Sequence, residues 1–93
     1  MSGTSADGID AVLVEISGRI SNPNWKIINT FSGQYPSDLK RRIIEVSQGC
    51  KLNSSEWLSL EDSITQFHAK IALDCDPNRS ADLIGCHGQT VWH

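Results

Sequence analysis

Apolar and polar positions alternate from Ile9 to Ser17 (IDAVLVEIS), with Ile9, Ala11 and Leu13 on one face and Val12, Val14 and Ile16 on the other. Alternation with both faces apolar predicts a strand covered on both sides, and so a central one. Gly18, Asn22, Pro23 and Asn24 then give a loop or hairpin signal. Trp25–Tyr35 predicts a second strand, in which Trp25, Ile27, Asn29 and Phe31 alternate against Ile28 and Thr30. The short connection favours antiparallel pairing of the two.

The period then changes. Leu39, Ile43 and Val46 recur at i, i+4 and i+7 and predict a helix. Ser37 is its expected N-cap, Asp38 complements the helix N-terminus, and Gly49 suits the C′ position. Lys40, Arg41 and Arg42 could suggest phosphate binding, but they read first as a solvated face of that helix. Asn53 with Glu56 resembles a capping box for a second, longer helix. Trp57, Leu60, Ile64, Phe67 and Ile71 form its apolar stripe, with His68 at the boundary, and Pro77 and Asn78 end it. Leu83–Cys86 is a short apolar run that suits a buried strand of a parallel sheet. The expected order is therefore β-β-α-α-β, an α/β arrangement in one small domain without internal repeats.

Composition narrows the function classes. The chain has 93 residues, 39% apolar and 20% charged, with a net charge of −3. These values suit a single globular domain with a modest core. The charge provides no electrostatic footprint for nucleic acid or an anionic membrane. No apolar run is long enough to span a bilayer, and no secretory signal is expected. Cys50, Cys75 and Cys86 are widely spaced and odd in number, which reads as reduced thiols in a cytosolic protein.

Two stretches carry chemistry. In SGTSADG, Gly3 and Gly8 allow close backbone approach, so that successive N–H groups can converge on phosphate oxygens, and Ser2, Thr4 and Ser5 add hydroxyl donors. Asp7 and Asp10 would repel phosphate directly but could hold Mg²⁺ through water. No lysine follows the glycine and a strand comes next, so this is not a Walker A loop. The second stretch, His87, Gly88, Gln89 and Thr90, follows the last expected strand, where ligands collect in open α/β sheets. Gln89 and Thr90 offer neutral groups suited to sugar hydroxyls, and His87 a proton carrier or an anchor. Cys86, His87 and His93 lack the spacing of a zinc site.

Together, MSGTSADGID and GCHGQTVWH resemble the N-terminal part of the anhydro-N-acetylmuramic acid kinase family, with its pattern M-S-G-T-S-x-D-G-x-D followed by G-x-H-G-Q-T-x-x-H. Every fixed position of both motifs is met. The resemblance implies an actin-like ATPase and sugar-kinase architecture with ribonuclease H-like α/β half-domains. It implies conversion of 1,6-anhydro-N-acetylmuramic acid to N-acetylmuramic acid 6-phosphate with ATP and Mg²⁺, in cytoplasmic recycling of cell-wall murein. By motif position, Gly3, Thr4, Ser5, Ala6, Asp7, Gly8, Ile9 and Asp10 would form the ATP-phosphate segment, with Asp7 also the candidate for Mg²⁺ through water. His87, Gly88, Gln89 and Thr90 would lie towards the sugar. The expected small-molecule partners are ATP and the amino sugar, with a homodimeric parent allowed.

The same resemblance implies an incomplete half-domain. The family is several times longer, its catalytic aspartate comes from a later D-x-G-type motif, and an apolar first strand normally precedes the phosphate turn. The base is therefore not assigned to Asp7 or Asp10, and the 93 residues alone are expected to be inactive. The gap beside Ile9–Ser17 would be closed by rearrangement, by pairing with another copy, or left partly disordered. Two other functions fit the same residues: another actin-like sugar kinase or ATPase, and a non-catalytic binding module of the same fold. A ribonuclease H-type nuclease would need more carboxylates than Asp7, Asp10 and Glu15 near one site.

Overall fold

The computed structural model describes residues 6–91 as a long β-hairpin followed by two helices. Strand β1 (Gly8–Arg19) pairs antiparallel with β2 (Asn22–Gln34) across a two-residue turn at Ile20 and Ser21. Both strands are longer than the hydrophobic alternation predicts. The turn-forming residues Asn22, Pro23 and Asn24 are drawn into the ladder opposite Arg19, Gly18 and Ser17. Pro23 is tolerated there because β2 is an edge strand and owes no donor on its outer side.

Pairing runs from Gly8↔Gln34 to Leu13↔Asn29, then shifts by one residue so that Val14 faces Ile27 and Ile28 is the extra residue of a bulge. One face of the hairpin carries Ile9, Ala11 and Gly33 towards the helices, with Ile9, Ala11, Phe67 and Ile71 in or against one core cluster. The opposite face carries Val12, Ile16, Trp25 and Ile27, which are 56%, 71%, 67% and 52% exposed. The expectation of a strand covered on both faces is thus corrected: among the described residues, helices cover one face only. The radius of gyration, 15.7 Å, exceeds the roughly 12 Å of a compact chain of this length, because the hairpin projects along a 48 Å axis.

Helix α1 (Ser37–Ser47) buries Leu39, Ile43 and Val46, the predicted stripe. Its N-cap is Pro36 rather than Ser37, with no side-chain cap, because the extended Pro36 already turns the chain out of β2. Its C-terminus closes as a Schellman motif. Gly49 (φ +96°) donates its N–H to Val46 O and Cys50 donates to Glu45 O, both at 3.0 Å.

Helix α2 (Ser54–Cys75) begins with the expected capping box: Glu56 N–H donates to Asn53 Oδ1 at 2.8 Å and Asn53 N–H to Glu56 Oε1 at 3.1 Å. Leu60 and Ile71 are buried and Ile64 and Phe67 half-buried, while Trp57, at the start of the stripe, is 43% exposed. Ile43, Leu60 and Ile71 are the largest fully buried side chains, each contributing about 1.5–3 kcal/mol by leaving water.

The fifth predicted element does not form. Leu83–Cys86 is irregular, with Leu83 89% and Ile84 71% exposed. A parallel strand needs a neighbour to pair with and cover on both faces, and the two-stranded sheet offers neither at this segment. The order observed among the described residues is β-β-α-α.

Candidate functional site

The candidate phosphate segment enters β1 at its first ladder position. Gly3, Thr4 and Ser5 lie outside the described residues. Ala6 is fully buried and left-handed (φ 54°), a conformation costing a non-glycine residue about 1–2 kcal/mol. Backbone strain of this kind is typical of ligand-clamping turns. Ala6 and Ile9 both belong to the core cluster, so any contact they make with phosphate is confined to main-chain groups. Gly8 is required for close approach: a Cβ there would overlap the carbonyl oxygen of Gly33 and come within 2.9 Å of Gln34 Cα.

The two aspartates differ in setting. Asp10 lies on the exposed face of the hairpin, where its Oδ1 accepts a hydrogen bond from the Ser32 hydroxyl at 2.6 Å. The Asp7 side chain is 81% exposed, with Oδ1 3.8 Å from Lys40 Nζ on α1. In water such a pair contributes less than about 1 kcal/mol, but it places an ammonium beside the segment. Lys40, its side chain 42% exposed, stays on the solvated face while reaching Asp7, and Arg41 pairs within α1 with Asp38. An exposed carboxylate could hold Mg²⁺ through water, and the ammonium beside it a phosphate oxygen. Among the described residues, no three His, Cys, Asp or Glu side chains cluster as metal ligands.

The second candidate stretch is tied to the same end of the molecule through Tyr35, the residue after β2. Its hydroxyl donates to Gln89 Oε1 at 2.8 Å, and Gln89 Nε2 donates to Thr90 O at 2.8 Å. Tyr35 is 5% exposed, and its ring stands 5.0 Å from that of Phe67, tilted by 41°. Gly88 is left-handed (φ 77°), turning the chain between the exposed His87 and the half-buried Gln89. Val91 packs against the core that holds Ala6, Ile9 and Tyr35. Tyr35 follows Gln34, the ladder partner of Gly8. Gly8 of the first motif and Gln89 of the second are thus joined to adjacent residues at the end of β2.

Sequence reasoning missed Tyr35, for which the available signal was the chain's one tyrosine at a strand end before Pro36. Asp76 at the end of α2 holds the turn that follows the helix. Its carboxylate accepts from Ser80 N–H (3.0 Å), the Ser80 hydroxyl (2.7 Å) and Ala81 N–H (2.9 Å). Those hydrogen bonds, led by that from Ser80 N–H, hold its pKa below the ordinary aspartate value. A cavity of about 370 Å³ between α1 and α2, lined by Arg42, Glu45 and Glu56 among others, contains none of the motif residues. Among the described residues, no helix is long and apolar enough to cross a membrane.

A family model described as anhydro-N-acetylmuramic acid kinase matches residues 1–93. Proteins named anhydro-N-acetylmuramic acid kinase from Prochlorococcus marinus strains MIT 9313 and NATL1A are 57% and 55% identical over the whole chain, which covers 24% and 25% of their lengths. One from Synechococcus sp. strain CC9311 is 50% identical over the same residues, covering 24% of its length. The chain thus spans about a quarter of the length of the curated relatives it matches. No solved structure matches it.

Proposed function

The chain belongs to the anhydro-N-acetylmuramic acid kinase family, and from that premise we propose that it forms the phosphate-turn end of an ATP-dependent sugar kinase. The reaction is phosphorylation of 1,6-anhydro-N-acetylmuramic acid in cytoplasmic cell-wall recycling. Water adds at C1 as the C1–O6 bridge opens, and O6 takes the γ-phosphoryl group of ATP. The products are N-acetylmuramic acid 6-phosphate and ADP.

The observation that supports this reading is that one residue of each motif is joined to the end of β2, Gly8 by pairing with Gln34 and Gln89 by accepting from the Tyr35 hydroxyl. Phosphoryl transfer depends on positioning and charge neutralisation more than on covalent help. Gly3–Asp10 would bind the ATP phosphates through main-chain and hydroxyl donors, with Lys40 adding positive charge beside Asp7. Mg²⁺, held through water by Asp7, would neutralise phosphate charge. His87–Thr90 would bind and orient the sugar. None of these residues is assigned as the base that activates water, so the 93 residues alone are proposed to be catalytically silent. The hairpin and helices are read as part of a ribonuclease H-like half-domain, whose further strands would pair along the hairpin edges.

The test is an assay of the purified full-length protein with ATP, Mg²⁺ and the anhydro sugar. Sugar-dependent formation of ADP and the 6-phosphate in equal amounts is expected. ADP release indifferent to the sugar would point instead to an ATPase of the same superfamily.

A further inference from the structure

We propose that Tyr35 is a positioning residue for the sugar site, acting through Gln89. This inference rests on the sugar-facing reading of His87–Thr90. An amide side chain can present its oxygen or its NH₂ group in either direction; the partners it meets decide which. At Gln89 one partner is a phenol donor to Oε1 and the other a carbonyl acceptor at Nε2, and the two fix the amide in one orientation.

The donor is itself held firmly. Tyr35 follows β2 directly, precedes Pro36 at the start of α1, is nearly buried, and packs its ring on Phe67 of α2. Three elements therefore define where its hydroxyl sits. Residues 81–91 are irregular, with Gly88 left-handed and His87 exposed, and Val91 packs against the core. The Tyr35–Gln89 hydrogen bond links this segment to the rigid part of the molecule across 54 positions of sequence. Its loss leaves the ring packing intact and removes the phenol donor that sets the direction of Gln89 Oε1, an alignment that a sugar must then help to restore on binding.

Tyr35→Phe removes the hydroxyl and keeps the ring. In the full-length protein it is expected to raise the sugar KM, and the sugar Kd by calorimetry, about 2- to 12-fold, the range of one hydrogen bond. The ATP KM should stay within about twofold of its starting value on the same ground. The decisive comparison is the same substitution in a Gln89→Leu background, where it should add nothing to the sugar KM. An unchanged sugar KM in Tyr35→Phe, or an equal rise in both backgrounds, overturns the positioning role while leaving the sugar site in place, provided Gln89→Leu alone raises the sugar KM. If Gln89→Leu leaves that KM unchanged, the sugar-facing reading fails and the inference falls with it. A lower Tm with both KM values intact assigns Tyr35 a structural role only, and also overturns it.

Discussion

Asn29 in β2 donates its side-chain N–H to the main-chain carbonyl of Cys75 at 2.9 Å, and the Cys75 thiol approaches Asn29 O at 3.7 Å. The last carbonyls of a helix lack partners within it, so this contact both caps α2 and fastens it across the middle of the hairpin. Asn29→Ala should cost about 1 kcal/mol, read as a lower unfolding midpoint. Faster amide exchange in the last turn of α2 should accompany it, with α1 unaffected.

Gly8→Ala tests the entry to β1. The added methyl meets Gly33 O and Gln34 Cα, both backbone atoms that cannot swing aside. A loss of about 1–3 kcal/mol is expected, together with a larger rise in the ATP KM than in the sugar KM. Wild-type stability in this variant would show that the first rung of the ladder is dispensable.

The core and the outer face of the hairpin should respond differently to truncation. Ile43 is fully buried, and Ile43→Ala should cost about 2–5 kcal/mol. Ile16 is 71% exposed, and Ile16→Thr should change stability by no more than about 0.5 kcal/mol. Chemical denaturation of the two variants measures both values. A comparable loss in each would show that the outer face is covered in solution.

Two substitutions separate the proposed ligands in the full-length protein. Asp7→Asn keeps the shape and removes the charge; it should lower turnover about tenfold or more, as losing a metal's outer-shell partner does, with little change in sugar KM. Thr90→Val should chiefly raise the sugar KM, by about 2- to 12-fold for one lost hydrogen bond. Full turnover with unchanged Mg²⁺ dependence in Asp7→Asn would remove Asp7 from the phosphate site. A shift in the ATP KM alone for Thr90→Val would move His87–Thr90 to the nucleotide.

Acid should loosen the turn that leads to His87. The Asp76 pKa is lowered in the folded state, so its hydrogen bonds stabilise the turn fully above the ordinary aspartate value. That contribution fades as pH falls through the lowered folded value. Amide protection at Ser80 and Ala81, taken relative to the intrinsic exchange rate at each pH, should fall in this acid window and stay high near neutrality, whereas Asp76→Asn should show the lower protection at both.

Both helices and the hairpin were legible in the sequence because each carries its own period and punctuation. The Asn53–Glu56 box and Gly49 are local signals that tertiary structure had no reason to override. Leu83–Cys86 shows the opposite case. Its composition suits a buried strand, but whether a strand forms depends on a neighbour, and that information is not in the segment itself. The motifs were readable as residue types, whereas the joining of Gly8 and Gln89 to the end of β2 was not. It depends on Gln34, which pairs with Gly8, and on Tyr35, which donates to Gln89.

The two-residue turn at Ile20 and Ser21 also sets an order in time. A hairpin closes within about 1–10 μs, and its shortest loop is at the turn, so zipping starts there and runs outward rung by rung. Gly8↔Gln34 is the rung farthest from that start. The start of β1 is therefore the last part of the ladder to be clamped, and the first to be released when the strands fray from their open end.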